Sequence, residues 1–372
     1  MAEISLTIDG QEVKAETGMT VLQAAEKAGI YVPTLCYHPD LAPYGACRLC
    51  IVEIENMRGL PTACTTPVAD GMVVHTNTAQ IQEFRRGVLE LILTEHPHPC
   101  LTCWRRERCG PFDVCLRNVD VTLRCVLCPR NGTCELQRVA DYIGIEKVDL
   151  PFTYRGLEID TGNPFFERDY NLCVLCGRCV RVCQEVRGNA AIAFVNRGSE
   201  ALPGTAFGRP LQDSGCQYCG ACVDVCPTGA LIERRRKWEG LPERSVATTC
   251  PYCGVGCQLE LEIKGGQIME VLPLRDNDVN RGQACVKGRF GIAEFVHHPD
   301  RLTTPLVKEN GAFREATWDE ALDLVASRLG SFEGEEVAVI SSAKCTNEDN
   351  YVVQKFTRVG FGHNGVDHCA RL

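Results

Sequence analysis

Cysteine is the residue type most able to carry chemistry in this sequence. It accounts for 25 of the 372 residues, and most of these fall in short C-x-x-C clusters. In a small secreted protein, so many cysteines would indicate disulfides. The first residues, Met1 to Ile8, resemble a strand and lack the basic and apolar parts of a leader. We therefore expect a cytoplasmic chain whose cysteines bind metal, and their spacing must decide between zinc and iron.

Two runs of four cysteines share the tight spacing C-x2-C-x2-C-x3-C. This spacing is typical of bacterial ferredoxins with two [4Fe–4S] clusters, in which the fourth cysteine of each run reaches the other cluster. The predicted ligand sets are Cys173, Cys176, Cys179 and Cys226 for one cluster, and Cys216, Cys219, Cys222 and Cys183 for the other. Gly177 and Gly220 leave backbone amides free to approach the sulfurs.

Four cysteines nearer the N-terminus are more widely spaced: Cys36, Cys47, Cys50 and Cys64. The small residues Gly45 and Ala46 lie among them in a loop-like stretch. This arrangement suits a [2Fe–2S] cluster, with the C-x-x-C pair on one iron and the outlying cysteines on the other. Here the chain resembles the ferredoxin-like domain of the complex I large iron–sulfur subunit, of iron-only hydrogenases and of NAD-linked formate dehydrogenases.

The next cluster segment occurs twice. His96, Cys100, Cys103 and Cys109 follow the pattern H-x3-C-x2-C-x5-C, which resembles the [4Fe–4S] site of the same families. The cysteines recur 25 residues later as Cys125, Cys128 and Cys134, with Val121 in place of the histidine. We predict that His96 completes the first set and Cys115 the second. The opposite pairing, a role for His98, and a vestigial or zinc-binding copy remain alternatives.

A fifth [4Fe–4S] site is predicted from the order C-x2-C-x3-C-x27-C, formed by Cys250, Cys253, Cys257 and Cys285. It resembles the opening domain of molybdopterin oxidoreductases, in which the cluster lies beside a molybdenum or tungsten bis(molybdopterin guanine dinucleotide). The resemblance implies that Lys287 bridges cluster and pterin on the electron path and contacts the cofactor. The alternative is an ordinary solvated lysine.

The closing segment, Ser341 to Leu372, resembles cytoplasmic formate dehydrogenase alpha subunits. In that family the residue after this Ala-Arg-Leu is the metal ligand, cysteine or selenocysteine. We therefore expect the metal ligand immediately after Leu372, a reading frame interrupted at UGA, no catalytic residue within the chain, and an inactive fragment. Cys345 and Cys369 are expected to be ordinary buried residues.

The elements between the cysteines define the fold class. A strand ending at Asp9-Gly10 and a capping box of Thr20 with Gln23 precede the first cysteines. An apolar helical stripe precedes the doubled segment and contains Ile81, Phe84, Val88, Leu91 and Ile92. We predict an α+β multidomain iron–sulfur protein. Its domains are a β-grasp [2Fe–2S] domain (1–80), a duplicated His/Cys3-type segment (81–150), a bacterial 2[4Fe–4S] ferredoxin domain (151–240), a molybdopterin-oxidoreductase 4Fe–4S domain (241–303) and the start of an α/β pterin-binding domain (304–372).

One [2Fe–2S] and five [4Fe–4S] clusters would make an electron relay. The net charge of −9 argues against nucleic acid, and no apolar run is long enough to span a membrane. We expect the electron-transfer part of an enzyme that oxidises formate or reduces CO2, with a NAD(P)-reducing flavoprotein, a ferredoxin or a hydrogenase subunit as partner. A complex I-type subunit, a stand-alone electron carrier and, less favoured, an iron-only hydrogenase are the alternatives.

Overall fold

The computed structural model describes residues 3–368, and the chain divides into two compact units, Met1–Leu241 and Pro242–Leu372. The helices of the first unit are α1 (Val21–Lys27), α2 (Ala79–Leu93), α3 (Glu135–Ile143), α4 (Arg178–Arg181) and α5 (Ala221–Asp224). Its strands are β1 (Glu3–Ile8), β2 (Gln11–Glu16), β3 (Glu53–Ile54), β4 (Val73–His75), β5 (Phe166–Arg168), β6 (Ala193–Val195), β7 (Leu202–Gly204) and β8 (Leu231–Glu233). Short helices and strands thus alternate with long irregular stretches that carry the cysteines.

The N-terminal cysteines lie beside a four-stranded sheet with the order β2-β1-β4-β3. β1 and β2 form the predicted antiparallel hairpin, and the φ angles of Asp9 and Gly10, 49° and 81°, suit its tight turn. α1 packs its apolar side against the sheet in one shared core. The predicted capping box between Thr20 and Gln23 is present at its start. The hairpin and helix predictions are confirmed.

The buried face of α2 differs from the predicted apolar stripe. Ile81 is buried, but Phe84 and Leu91 are 53% and 64% exposed. The buried row instead runs in four-residue steps from Ile81 to Leu93 and includes Arg85. A four-residue row drifts only slowly around a helix, so all its members can face the core. The prediction was wrong for Phe84 and Leu91 because a charged residue occupies one of the core positions.

Arg85 joins α2 to the loop that carries Cys50. Its Nε donates a hydrogen bond to the carbonyl of Leu49 at 2.8 Å, and its Nη2 donates to the carbonyl of Ile51 at 2.9 Å. The side chain is fully buried, and burial lowers its pKa from the ordinary arginine value. Arginine keeps its charge under such a shift, so both carbonyls receive a charged donor.

A second core forms where α2 packs against α3. It contains Leu89 and Leu93 of α2 with Leu136 and Val139 of α3. α3 ends at Gly144, whose φ of 66° is the left-handed conformation that glycine adopts without strain. The stretch between the two helices is irregular apart from short 3-10 turns, so the position of its cysteines depends on side-chain and loop contacts.

The segment with the two ferredoxin-type cysteine runs contains the same loop-to-helix arrangement twice. α4 and α5 each follow a glycine with positive φ, Gly177 at 74° and Gly220 at 77°. Such glycines turn the chain sharply from the cysteine loop into the helix. β5 pairs with β8 and β6 with β7, both antiparallel. The two short helices are therefore held at equivalent places in a pseudo-symmetric pair of loops.

The second unit contains two kinds of structure. Its strands are β9 (Arg244–Thr249), β10 (Gln258–Lys264), β11 (Gln267–Pro273), β12 (Leu306–Glu309), β13 (Ala312–Glu315), β14 (Val339–Ser341) and β15 (Val366–His368). Its helices are α6 (Ile292–Val296), α7 (Trp318–Leu329) and α8 (Asn347–Phe361). β9, β10 and β11 form an antiparallel sheet, whereas β14 and β15 pair in parallel across α8. The parallel pair is the expected start of an α/β domain.

Residues 3–368 contain no helix that is both long and apolar enough to cross a lipid bilayer.

The hydrogen bonds of Arg85 predict a large cost for its removal. Arg85→Met leaves the carbonyls of Leu49 and Ile51 without their charged donor, so we expect the free energy of unfolding to fall by about 2–4 kcal/mol. Urea unfolding followed by circular dichroism measures it. Arg86, its exposed neighbour on α2, is the control, and Arg86→Met is expected to change stability by less than about 0.5 kcal/mol. Equal effects of the two substitutions would contradict this role.

Candidate metal centres

The four N-terminal cysteines lie close together in the structure. Cys36, Cys50 and Cys64 are completely buried, and the Cys47 amide donates a hydrogen bond to Cys36 Sγ at 3.4 Å. Contact with Cys36 and then burial raise the pKa of Cys47 well above the ordinary thiol value. Contact with Cys36 lowers the pKa of Cys64, but contact with Cys50 and burial outweigh it and raise that pKa to about 11. These four adjoining thiols, of which Cys47 and Cys64 have a raised pKa, are a donor set that bound metal would stabilise as thiolates.

Two cavities enclose the cysteines of the doubled segment. A cavity of about 30 Å³ is lined by Cys100, Cys103, Cys109 and Cys115. A larger one, of about 350 Å³, is lined by His96, Cys125, Cys128 and Cys134. His96 therefore lies with the second triplet and Cys115 with the first, whereas the sequence prediction placed His96 with Cys100 and Cys115 with Cys125. The ligand pairing itself stays a prediction.

Arg117 explains the position of Cys115. Its guanidinium donates to the carbonyl of Pro99 at 3.0 Å and to Thr102 Oγ1 at 2.6 Å, and it also reaches the Thr102 carbonyl. These bonds fold the loop after Cys115 back over the first three cysteines. The same bonds hold Cys115 away from the second triplet.

His96 is oriented by its own neighbour. It is buried, and its Nδ1 lies 2.9 Å from the carbonyl of Pro97. A carbonyl only accepts, so Nδ1 carries the proton and Nε2 is left as the ring's electron-pair donor. Burial lowers the pKa of His96 to about 4, so the ring is neutral near pH 7. His98 instead places its Nδ1 near the carbonyls of Leu93 and His96, and it lines neither cavity.

The two sets of the doubled segment touch where Cys125 meets Cys100. The amide of Cys125 donates a hydrogen bond to Cys100 Sγ at 3.2 Å. Hydrogen bonding from the Cys125 side chain, with help from backbone amides, lowers the pKa of Cys100 to about 6 against the effect of burial. The same contact and burial raise the pKa of Cys125 well above the ordinary value. Cys100 is therefore a thiolate near neutral pH in the metal-free chain.

The ferredoxin-type cysteines line two cavities, and their role as cluster ligands stays a prediction. One cavity is lined by Cys173, Cys176, Cys179 and Cys226. Another is lined by Cys183, Cys216, Cys219 and Cys222. The fourth cysteine of each run thus lines the cavity of the other run. Burial raises the pKa of Cys173 to about 12.

In the second unit the loop before β10 brings three cysteines toward a fourth. Burial, followed by the nearby Cys285 and Cys253, raises the pKa of Cys250. Cys257 is shifted in the same direction, its pKa raised first by burial and then by its three partners. Lys287 is exposed and begins a π-helical turn two residues after Cys285. Its amine is therefore accessible to a cofactor.

The remaining cysteines lie apart from these sets. Cys345 is half-buried in the turn before α8. Cys369 and Leu372 lie outside the described residues, as does the predicted position of the molybdenum or tungsten ligand.

The donor sets fit multi-iron clusters. Among residues 3–368, no three or more Cys, His, Asp or Glu side chains converge as a site for one metal ion. The thiols instead line the walls of cavities in groups of three or four, and one group includes a neutral imidazole. Four thiolates, or three with a histidine, are the ligands that [4Fe–4S] clusters use in proteins. The side chains present therefore fit the clusters that the sequence implies.

Sequence reasoning missed the buried arginines between these sets. Arg178 donates to both carboxylate oxygens of Glu135 at 2.7 and 2.8 Å, next to Cys134 in the sequence. Arg181 donates to the carbonyl of Ala42 at 2.8 Å and also reaches the carbonyl of Cys36. No short sequence motif predicts these contacts. One sequence feature did indicate that His96 lies with the second triplet. The family motif ends in Cys-Glu-Leu-Gln, and this ending occurs at Cys134, the last cysteine of the second triplet.

The opposite pKa shifts of Cys100 and Cys134 predict different reactivity. Both are half-buried, but burial raises the pKa of Cys134 to about 12. Thiolate is the reactive form, so iodoacetamide should label Cys100 fully at pH 7–8 and progressively less as the pH falls through about 6, while Cys134 stays largely unlabelled. Mass spectrometry of the reduced, metal-free chain measures both. Faster labelling of Cys134 at pH 7 would contradict the assignment.

Comparison with known families identifies iron–sulfur and molybdopterin domains along the chain. Five family models match: a 2Fe-2S iron-sulfur cluster binding domain (1–79), an NADH-ubiquinone oxidoreductase-G iron-sulfur binding region (85–110), the ferredoxin-like domain of NADH-quinone oxidoreductase subunit 3 (163–232), the molybdopterin oxidoreductase Fe4S4 domain (243–298) and molybdopterin oxidoreductase (301–372). Residues 111–162, which hold Cys115 and the second triplet of the doubled segment, lie outside these matches.

Curated relatives align with almost the whole chain. It is 36% identical to the NADPH-Fe(3+) oxidoreductase subunit alpha of Geobacter sulfurreducens and 37% identical to a G-type subunit of the NADH-quinone oxidoreductase of Rhizobium meliloti. It is 33% identical to a Bacillus subtilis protein named "Putative formate dehydrogenase YrhE". Each alignment covers 99% of this chain but 40% of the relative. The chain thus spans about two-fifths of the length of these relatives.

A solved structure is also similar. The NAD+-reducing [NiFe]-hydrogenase in its H2-reduced state matches with a TM-score of 0.51 and 29% identity, over 63% of this chain and 88% of that one. Taken together with the family matches, the predicted fold class is confirmed. The chain therefore carries molybdopterin oxidoreductase domains over residues 243–298 and 301–372, and these follow iron–sulfur domains similar to those of G-type subunits of NADH-quinone oxidoreductases.

Proposed function

We propose that the chain is the electron-transfer part of a formate dehydrogenase-type molybdopterin oxidoreductase. The observation that carries the proposal is the contact between neighbouring cysteine sets, which is what a relay requires. Bound iron–sulfur clusters would supply one-electron carriers at these sets. The substrate of the whole enzyme would be formate or CO2, and its location the cytoplasm.

Cavities support four of the proposed ligand sets, and interactions among the sulfurs support the other two. The [2Fe–2S] cluster is assigned to Cys36, Cys47, Cys50 and Cys64. The [4Fe–4S] clusters are assigned to Cys100, Cys103, Cys109 and Cys115; to His96, Cys125, Cys128 and Cys134; to Cys173, Cys176, Cys179 and Cys226; to Cys183, Cys216, Cys219 and Cys222; and to Cys250, Cys253, Cys257 and Cys285. In this assignment every cysteine of the chain has a cluster except Cys345 and Cys369.

The sulfurs of successive sets influence one another in the first unit. Cys226 contributes to the raised pKa of Cys128, and Cys222 contributes to that of Cys179. The Cys125 amide bonds to Cys100 Sγ. These contacts support a route that links the two ferredoxin-type sets, the His96 set and the Cys100 set. Clusters bound at neighbouring sets would be close together, which favours electron transfer in either direction along this route.

Individual residues would tune the steps. His96 is a neutral donor, so its set carries one negative charge fewer than a set of four thiolates and should be easier to reduce. Lys287 is exposed beside Cys285, where we propose that it reaches a pterin of the molybdenum or tungsten bis(molybdopterin guanine dinucleotide). A NAD(P)-reducing flavoprotein, a ferredoxin or a hydrogenase subunit would exchange electrons with the first unit. The similarity to a NAD+-reducing hydrogenase supports that range of partners.

A second candidate function is an NAD(P)H-linked oxidoreductase. It is favoured by the names of two relatives at 36% and 37% identity, which refer to NADPH-Fe(3+) and NADH-quinone oxidoreductases. The formate hypothesis has the support of the Ser341–Leu372 resemblance and of the relative at 33% identity. Both hypotheses use the same relay and differ in the electron source.

The exchanged pairing of His96 and Cys115 can be tested by combining substitutions. Cys103→Ser disables the first set, so adding Cys115→Ala should remove no further iron, whereas adding His96→Ala should remove up to about four more iron atoms. Iron analysis after anaerobic reconstitution gives the counts. Cys345→Ser is the control and should leave the iron content unchanged. The reverse pattern would support the pairing first predicted from the sequence.

The electron source can be tested on the native protein purified anaerobically from its source cells. We expect formate to reduce methyl viologen in its presence, because a two-electron site would feed the one-electron relay. NAD(P)H is assayed in parallel. Reduction of the clusters by NAD(P)H with no formate-dependent viologen reduction would reject the formate hypothesis in favour of the second candidate.

A further inference from the structure

We propose that the loop between Trp104 and Arg124, here called the arginine loop, is a docking surface for a small acidic protein that carries one electron. The carrier would exchange electrons with the cluster of the Cys100 set. The inference rests on the proposed function, because it requires that set to hold a cluster. It adds an electron-exchange point that differs from the N-terminal [2Fe–2S] domain.

The arginine loop exposes large apolar side chains. Phe112 is 99% exposed, and Trp104, Val114 and Leu116 are all at least 65% exposed. Exposed apolar groups of this size, close together in the chain, are typical of protein interaction sites. Val114 and Leu116 also line the cavity of the Cys100 set. A protein that covered them would therefore come close to the cluster ligands.

The charge of the loop indicates an acidic partner. Residues 104–124 contain five arginines and three carboxylates, a formal charge of +2 in a chain whose net charge is −9. Arg105 and Arg106 pair with carboxylates, but Arg117 and Arg124 donate hydrogen bonds to uncharged oxygens. Both of these arginines also line the cavity. Positive charge around an apolar centre steers an acidic carrier toward the cluster and fixes its orientation.

The Cys100 set occupies an end of the route described above. Its described contact with another set is the hydrogen bond from the Cys125 amide to Cys100 Sγ. Cys103, Cys109 and Cys115 are only partly buried, whereas three of the four [2Fe–2S] cysteines are completely buried. A cluster at this end of the route and near the surface is not needed to connect the other cysteine sets to one another. It gives electrons a second place to enter or leave.

The test is the rate at which an acidic plant-type [2Fe–2S] ferredoxin, reduced beforehand, reduces the reconstituted 372-residue chain in anaerobic stopped flow. Arg108→Glu combined with Phe112→Ser changes one exposed charge and one exposed ring without touching a ligand. We expect the second-order rate at low salt to fall by about tenfold, and the difference to shrink at high salt. Arg197→Glu with Phe207→Ser is the matched control, because both residues are exposed elsewhere in the first unit. The control should stay within about twofold of the parent chain.

Iron content and reduction by dithionite separate the possible failures. If the parent chain binds no clusters, the proposed function itself fails. If the clusters form and dithionite reduces them, three results would overturn the docking proposal alone: a ferredoxin rate unaffected by the loop variant, an equal effect of the control, or no reduction by the ferredoxin. Faster reduction by a basic carrier such as a c-type cytochrome would also overturn it.

Discussion

The whole arrangement depends on keeping many sulfur atoms inside the protein in groups that are unfavourable without metal. Burial raises the pKa of thiols such as those of Cys134 and Cys173, so these groups resist ionisation in the metal-free chain. Metal binding requires thiolates, and the energy of the metal–sulfur bonds must offset that resistance. Binding and folding of the cysteine loops are consequently coupled. The small elements of regular structure then serve mainly to set the positions of loops.

Buried arginines supply much of the remaining constraint. Arg85 holds the carbonyls on both sides of Cys50, and Arg178 joins α4 to the start of α3 through Glu135. Arg289 and Glu270 form a similar buried pair in the second unit at 2.9 Å. Isolated buried charges would be costly, but here each has hydrogen-bonding partners. Positive charge close to the ligand sets would also stabilise the negative charge of bound clusters. The same residues therefore connect structural elements and influence the electrostatics of the sites.

Cysteine spacing was enough to predict which cysteines lie together in the ferredoxin-type runs. The crossed sets of the ferredoxin-type runs, with Cys183 and Cys226 exchanged, match the cavities because a rigid local loop follows from the spacing. In the doubled segment the position of Cys115 depends on side-chain contacts that cysteine spacing does not encode. Arg117 folds Cys115 back over the first triplet, and no repeat of the pattern could show that. The exposure of Phe84 on α2 was also not predictable from the spacing of apolar residues. Arg85 occupies a core position there because it hydrogen-bonds to two carbonyls of another loop.

The central claim is that these sulfur groups hold six iron–sulfur clusters in one chain. Its most direct test is anaerobic reconstitution of the 372-residue chain, followed by iron, zinc and sulfide analysis and low-temperature paramagnetic resonance of the reduced protein. One [2Fe–2S] and five [4Fe–4S] clusters predict about 22 iron atoms per chain, a matching amount of sulfide, and signals of both cluster types. Stoichiometric zinc with negligible iron, or an iron content far below that value, would contradict the account.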